Sequence, residues 1–245
     1  MNKVIHWDCL EEMDKLIALW IKVDAIITDP PYGTTACKWD SIIPFDAMWE
    51  RLNKLIKTNG AIVLFGSEPF SSALRMSNIK NYKYDITWNK VSITNPMLAK
   101  KQPLRCIENI CFFYKKQPTY NPELVEGTKW SRGGKKEHKT ETLGQSNLFN
   151  KGSDKTNLKY PKNLIDFSNA NKVNNLHPTQ KPVALMEYLI KTYTNEWELI
   201  LDFTAGSWTT WVACQNLNRN FILIEKEQEY IDIINTRLNL LASKK

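Results

Sequence analysis

Apolar residues along the chain form two patterns, short continuous runs and runs spaced three or four positions apart. The first pattern predicts buried strands and the second predicts helices. Strands are predicted over residues 3–6, 23–28, 61–65, 82–88, 108–114, 199–202 and 220–225. Helices are predicted after Asp8 as N-cap, over 45–57 with Asn59-Gly60 as its stop, over 70–76 and 183–193, through 214 and 217, and over 230–241. Strands that alternate with helices predict an α/β fold with a mostly parallel sheet.

Four polar side chains directly follow or end predicted strands: Asp29, Ser67, Asp202 and Glu225. An open parallel sheet binds its ligands at the carboxyl ends of its strands. We therefore expect these residues to lie at the ligand-binding edge of the sheet.

The segment Asp29-Pro30-Pro31-Tyr32 ends the second strand as a rigid turn, because two prolines fix φ twice and remove two backbone donors. Its groups suit methylation of an exocyclic base amine, whose hydrogens must be held by acceptors before the nitrogen becomes nucleophilic. The Asp29 carboxylate and the Pro30 carbonyl are two such acceptors. Tyr32 offers a face on which an extruded base could stack, a contact worth about 1–3 kcal/mol.

A second candidate site begins at the strand ending in Asp202. A loop of small residues follows to Ser207, then a helix, and a further strand ends in the acid Glu225 about twenty residues on. This order is typical of a nucleoside cofactor site, in which the loop admits the cofactor and the acid binds ribose hydroxyls. A dinucleotide dehydrogenase would use similar parts.

Composition adds a polyanionic partner to this picture. The 245 residues are 42% apolar, which is enough for one sizeable domain, and the formal charge is +7. Residues 115–172 hold twelve Lys/Arg and six Asp/Glu, and the apolar periodicity is lost there. This stretch is either a flexible surface insertion or, as we favour from its charge, a DNA-recognition region.

The remaining composition argues against export and metal binding. The five cysteines are an odd number without a CxxC pair, so neither a disulfide framework nor a zinc cluster is expected. The chain has no apolar run of ~18 residues and no signal-peptide pattern at its N-terminus. A cytoplasmic protein without a membrane span is expected.

The DPPY segment, together with His177-Pro178-Thr179-Gln180-Lys181-Pro182, resembles the permuted (β-class) S-adenosylmethionine-dependent DNA adenine-N6 methyltransferases. The resemblance implies a Rossmann-like class I methyltransferase fold with circularly permuted motif order. Residues 1–114 would form the catalytic half, residues 115–176 an inserted target-recognition region, and residues 177–245 the cofactor-binding half. Catalysis would then fall to Asp29, Pro30, Pro31 and Tyr32.

The resemblance also implies S-adenosylmethionine as cofactor. Glu225 would bind its ribose, Asp8 would lie near its adenine and Lys181 would border it. The full set of implied cofactor residues is Asp8, Cys9, His177, Thr179, Lys181, Asp202, Phe203, Ala205, Gly206, Ser207 and Glu225. Double-stranded DNA is the implied partner of a monomer or homodimer, beside a possible cognate restriction endonuclease. Cytosine-N4 methylation, N6 methylation of RNA and a DNA-binding homologue with an impaired cofactor site are the alternatives.

Tryptophans stand where the family has glycines. The chain reads Ala205-Gly206-Ser207-Trp208-Thr209-Thr210-Trp211 where the family reads A-G-S-G-T-T-G, and Trp7, Trp20 and Trp197 are further positions of this kind. The chain has 9 glycines and 9 tryptophans, whereas glycine usually makes up about 7% of residues. Our hypothesis is that these tryptophans are UGA codons read as glycine in the source organism. If they are genuine, weak cofactor binding is expected.

Overall fold

The structure is a computed structural model that describes residues 1–35, 37, 40–94, 96–126, 158–169, 180–206 and 209–232. It divides into two compact units, one formed by Met1–Asn121 with Asn163–Lys245 and the other by Pro122–Lys162. The second unit lies within the stretch 115–176, for which DNA recognition stays a prediction. Its described part contains the antiparallel pair β6 (Val125–Glu126) and β7 (Leu158–Lys159).

The first unit is an alternation of strands and helices. Its strands are β1 (Asn2–His6), β2 (Val23–Thr28), β3 (Ile56–Gly66), β4 (Tyr82–Thr94), β5 (Arg105–Phe113), β8 (Leu164–Asp166), β9 (Leu199–Asp202) and β10 (Asn220–Glu225). Its helices are α1 (Cys9–Ala18), α2 (Phe45–Leu55), α3 (Phe70–Ser77), α4 (Val183–Tyr193) and α5 (Thr209–Asn216). In the described part of the chain, no helix is long and apolar enough to cross a membrane.

The strands form a single eight-stranded sheet in the order β1-β10-β9-β2-β3-β5-β4-β8. Neighbours are parallel from β1 to β3, and β5 runs antiparallel to both β3 and β4. The C-terminal strands β9 and β10 lie between β1 and β2, so the two ends of the chain build one sheet together. The predicted fold class, a mostly parallel Rossmann-like sheet with helices on both faces, is confirmed.

One apolar core covers each face of the sheet, so its central strands are buried on both sides. In β2, Ala25 and Ile27 pack into the core formed with α4 and α5, whereas Val23 and Ile26 pack into the core formed with α1, α2 and α3. The helix α1 begins where predicted, since the Asp8 carboxylate accepts hydrogen bonds from the backbone N–H groups of Leu10 (2.9 Å) and Glu11 (3.4 Å).

The predicted stop of α2 at Asn59-Gly60 is wrong. The helix ends at Leu55 and β3 begins with the next residue, Ile56, so the chain passes from helix to strand without a glycine cap. Gly60 lies instead in an irregular part of β3, between the residues paired with Val23 and Ala25. A Cβ there would stand 2.6 Å from the carbonyl oxygen of Asp24, so glycine is required by close backbone approach.

A candidate active site between β2 and β9

The candidate site is a cavity of about 410 Å³ at the carboxyl ends of the parallel neighbours β2 and β9. From β9 the chain continues through α5 on one face of the sheet to β10, which lies beside β9. From β2 it continues through α2 on the other face to β3, which lies beside β2 in the other direction. The loops after the two strands therefore diverge and leave a crevice. Ligands of open α/β sheets bind at such a switch point, and the volume suits a small-molecule cofactor.

Twelve of the fifteen predicted site residues line this cavity. They are Asp8, Cys9, Asp29, Pro30, Pro31, Tyr32, Lys181, Asp202, Phe203, Ala205, Gly206 and Glu225. The other three, His177, Thr179 and Ser207, lie outside the described residues, as does Trp208. The sheet thus brings together two segments that are about 170 residues apart in the sequence.

Asp29 is held at the cavity wall by contacts from three elements. The Tyr32 hydroxyl donates a hydrogen bond of 2.5 Å to Asp29 Oδ1, and the Lys181 ammonium forms an ion pair with Oδ2. The Thr204 hydroxyl donates to the backbone carbonyl of Asp29 at 3.0 Å. Burial raises the pKa of Asp29 although the Lys181 charge opposes that shift. Both carboxylate oxygens therefore already have a donor, and the neighbouring cation favours the ionised form.

The Tyr32 ring is stacked on Phe70, with ring centroids 5.0 Å apart and planes at 28°. Lys181 Nζ lies 5.9 Å from the Tyr32 centroid. The ring is thus already packed on one face by an aromatic residue that sequence reasoning did not single out. Stacking of a base on Tyr32 remains a proposal, and it requires the ring surface not covered by Phe70.

Asp40 holds the loop that follows Tyr32, and sequence reasoning missed it. Its carboxylate accepts four backbone hydrogen bonds, from Tyr32 (2.8 Å), Gly33 (2.9 Å), Thr34 (2.9 Å) and Thr35 (2.6 Å). Although burial opposes it, hydrogen bonding to the ionised form lowers the pKa of Asp40. No local pattern distinguishes this aspartate from others in a polar loop, because its role depends on the folded-back loop.

Asp202, at the end of β9, is surrounded by neutral donors. The Thr28 hydroxyl donates to its Oδ1 at 2.6 Å, the Thr210 hydroxyl donates to Oδ2, and the Thr204 backbone N–H donates to Oδ1 at 3.2 Å. Burial raises the pKa of Asp202 to about 6. The three threonines were not predicted, because hydroxyl residues near strand ends are common and only the fold aims these at one carboxylate.

Glu225 and Gly206 also line the cavity, in the part predicted to bind the cofactor. Glu225 Oε2 accepts a hydrogen bond from Gly206 N–H (2.7 Å) and Oε1 accepts one from Glu227 N–H (2.8 Å). Each carboxylate oxygen has a further lone pair, so ribose hydroxyls can still donate to it. Gly206 has a φ of 52°, which lets its backbone turn close to the cavity. These groups fit a nucleoside cofactor with an amino-acid tail.

The tryptophans in glycine positions have very different surroundings. Trp20 and Trp197 adopt φ angles of 57° and 68°, in the left-handed region that favours glycine. Trp211 is 3% exposed and packs within the core of α4 and α5, and the exposed Trp7 lines the cavity. The two left-handed positions support the glycine hypothesis independently of composition.

Comparison with known proteins identifies the family. A family model described as DNA methylase matches residues 23–236. The Type II methyltransferase M2.LlaDCHI of Lactococcus lactis subsp. cremoris is 29% identical, over 96% of this chain and 88% of its own length. The DNA adenine methyltransferase YhdJ of Escherichia coli K12 is 28% identical, over 98% and 83%.

Solved structures agree with this family. The M1.HpyAVI–SAM complex has a TM-score of 0.69 at 29% identity, over 98% of this chain and all of its own. The cytosine-N4-specific PvuII DNA methyltransferase has a TM-score of 0.67 at 16% identity, over 95% of this chain and 84% of its own, and shares the fold. Because the family model covers most of the sequence, this chain belongs to the N6/N4 DNA methylase family.

Proposed function

We propose that this protein transfers the methyl group of S-adenosylmethionine to N6 of adenine in DNA. One observation carries the proposal: the Asp29–Tyr32 segment and the Asp202–Gly206 loop open into a single cavity at the junction of β2 and β9. A methyl donor and an acceptor base held in these two segments would meet there, and holding two reactants together supplies much of the rate of such a transfer.

In the proposed mechanism, the Asp29 carboxylate and the Pro30 carbonyl each accept a hydrogen bond from one N–H of the adenine amine. This favours the tetrahedral form of nitrogen, in which the lone pair is released from the ring and is nucleophilic. Tyr32 contacts the extruded base. Asp202, Phe203, Ala205, Gly206 and Glu225 would hold S-adenosylmethionine, with Asp8 near its adenine. When bound, that cofactor supplies an electrophilic methyl group on a sulfonium.

Adenine is favoured over cytosine because a DPPY segment that begins with Asp resembles the adenine-N6 branch of the family more than the cytosine-N4 branch. The relative YhdJ is also named a DNA adenine methyltransferase. The PvuII enzyme, named as cytosine-N4-specific, is similar at the level of fold alone. Cytosine-N4 methylation is therefore the second candidate.

The test is transfer of tritiated methyl groups to matched substrates. We expect label in adenine of double-stranded DNA, and none in duplexes whose adenines are replaced by N6-methyladenine or in RNA of the same sequence. Asp29→Ala should lower the rate by about 10³-fold, because it removes one of two preorganised acceptors, while DNA binding measured by fluorescence anisotropy is kept.

Asp46→Ala is the matched control, since Asp46 is exposed in the first turn of α2. It should transfer methyl groups at the wild-type rate. Label in cytosine would replace the adenine proposal by the cytosine-N4 alternative, and full activity of Asp29→Ala would overturn the role of the carboxylate.

We further propose double-stranded DNA as the partner and a restriction endonuclease as a functional counterpart, because relatives are named Type II methyltransferases. An enzyme acting on DNA would work in the cytoplasm. Monomer and homodimer are both compatible with this activity, and sedimentation of the protein with and without a DNA duplex distinguishes them.

A further inference from the structure

Four charged side chains of alternating sign run from Lys90 in β4 to Asp29 in the proposed catalytic segment. Lys90 pairs with Glu108 Oε1, Lys181 pairs with Asp29 Oδ2, and Glu108 Oε2 lies 3.4 Å from Lys181 Nζ. The side chains of Lys90, Glu108 and Lys181 are 9–11% exposed and that of Asp29 is 25% exposed. Two cations and two anions therefore neutralise each other at the wall of the cavity.

Burying these four charges lowers the stability of the fold, because buried charges lose hydration that pairing only partly restores. The lysine ammonium groups also lie near aromatic rings, Lys90 at 5.7 Å from the Trp88 centroid and Lys181 at 5.2 Å from the Phe65 centroid. Both ammonium groups therefore have an aromatic contact in addition to their ion pairs.

One oxygen in the row lacks a well-directed hydrogen bond. Glu108 Oε2 is fully buried and, among the described residues, no donor makes a hydrogen bond of good geometry to it. By contrast, both oxygens of Asp29 are engaged, Oδ1 by the Tyr32 hydroxyl and Oδ2 by Lys181. The Lys181 ammonium lies 3.4 Å from this oxygen, so the contact is an ion pair without a well-directed hydrogen bond, and the oxygen can still accept one if the ammonium moves closer.

We propose that Glu108 is a positioning residue, the alternative acceptor to which the Lys181 ammonium moves when the adenine amine takes its place at Asp29. The proposal rests on the proposed function, because the incoming hydrogen belongs to the amine that is to be methylated. Lys90 holds Glu108 in place and keeps it ionised. Lys181 thereby keeps Asp29 ionised before the base arrives, and leaves an Asp29 oxygen free to accept when it does.

The charges around each group favour this exchange. Asp29 faces Lys181, Tyr32, Glu108 and Asp202, and Lys181 is the single cation among them. Burial would raise the pKa of Glu108, but Lys181 and Lys90 lower it below its ordinary value. Burial would lower the pKa of Lys181, but Asp29 and Glu108 raise it. Lys181 stays a cation and Glu108 an anion, so the ammonium can move between two carboxylates without a proton transfer.

Three substitutions should move the acid limb of the rate–pH profile, two of them to higher pH and one to lower pH. Lys181→Met removes the cation that opposes protonation of Asp29, and the limb should move up by about 1–2 pH units. Lys90→Met leaves Lys181 as the one cation paired with Glu108 among the described residues. Glu108 should then draw Lys181 away from Asp29, so the limb should move up by less. Glu108→Gln removes an anion near Asp29, and the limb should move down.

Glu108→Gln should also lower kcat about 10-fold or more, because Lys181 remains bound to Asp29 and competes with the amine. Its Kd for S-adenosylmethionine by calorimetry should be unchanged, and Glu108→Asp should restore part of kcat. The matched control is Lys54→Met, which breaks the exposed pair with Glu50 and should leave the profile unchanged.

A measurement without cofactor or DNA separates this proposal from the proposed function. The ¹³C carboxyl signal of Asp29, assigned with Asp29→Asn, should titrate at higher pH in Lys181→Met and at lower pH in Glu108→Gln than in the wild type. Identical titrations in folded variants, or shifts in the same direction, would overturn the exchange. Absence of methyl transfer by the wild type would overturn the proposed function. The titration would then still show whether Lys181 and Glu108 control the ionisation of Asp29.

Discussion

Asp29 follows β2 and Asp202 ends the neighbouring parallel strand β9, but one carboxylate is paired with a cation and the other with neutral donors. Asp29 forms an ion pair with Lys181 and its side chain reaches the cavity surface. Asp202 is 3% exposed and accepts hydrogen bonds from hydroxyl and amide donors of Thr28, Thr204 and Thr210. The sheet gives the two carboxylates equivalent positions, and their neighbours give them different chemistry.

The difference fits the two proposed tasks. A carboxylate that must accept hydrogens from a base has to stay ionised while partly buried, and a nearby cation achieves this. A carboxylate that orders a loop around a cofactor needs hydrogen-bond donors with fixed geometry, and threonine hydroxyls on β2 and α5 provide them. The same residue type can therefore serve both sides of the cavity.

The largest expected effect on the cofactor side comes from Asp202→Asn. This substitution removes a charged acceptor, and a hydrogen bond to a charged group contributes about 1.5–3 kcal/mol. We therefore expect S-adenosylmethionine binding to weaken about 10–100-fold by calorimetry. The control Asp29→Ala should bind the cofactor normally. Since the pKa of Asp202 is raised to about 6, wild-type binding should be about 10-fold weaker at pH 5 than at pH 7. Equal binding at both pH values would contradict this assignment.

The same shift predicts the pH dependence of stability without cofactor. A carboxyl group whose folded pKa is raised stabilises the fold while protonated, and this contribution is lost as pH rises through about 6. Relative to Asp202→Asn, the wild type should therefore lose about 2–3 kcal/mol of unfolding free energy between pH 4 and pH 7, measured by urea denaturation. A constant difference between the two proteins would contradict the raised pKa.

On the catalytic side, Asp40→Ala tests how the Tyr32 loop is held. Four backbone N–H groups lose their acceptor, although water can replace part of it because Gly33, Thr34 and Thr35 are exposed. We expect a loss of about 2 kcal/mol in unfolding free energy and a lower kcat with unchanged cofactor affinity. Asp46→Ala is again the control, and an unchanged kcat would separate Asp40 from the catalytic segment.

The smallest effect concerns the tryptophans. Trp20→Gly and Trp197→Gly should each raise the unfolding free energy by about 1 kcal/mol, because the left-handed conformation costs about 1–2 kcal/mol for residues other than glycine. Trp7→Gly, at a position without a positive φ, should bring no such gain. UGA codons at these positions in the coding DNA would agree with the glycine hypothesis, whereas UGG codons at Trp208 and Trp211 would overturn it.

The sequence by itself predicted most of the strands and helices and indicated the methyl-transfer chemistry that we propose. Apolar runs predicted β2, β9 and β10, because each strand is buried on both faces over most of its length and is therefore mostly apolar. The proline pair and the acid at a strand end are local features, so Asp29–Tyr32 and Glu225 could be singled out as candidate site residues without knowledge of the fold. The stop at Asn59-Gly60 failed because the requirement for Gly60 comes from the neighbouring strand and not from the helix.

Only the tertiary structure decided which side chains surround each carboxylate. Lys181 was expected to border the cofactor, and the structure also pairs it with Asp29, 152 positions away in the sequence. Glu108, Asp40, Phe70 and the threonines around Asp202 lie on separate elements whose spacing carries no signal of their meeting. Their roles depend on strand order and loop path, because electrostatic and hydrogen-bond contacts are set by distances in space.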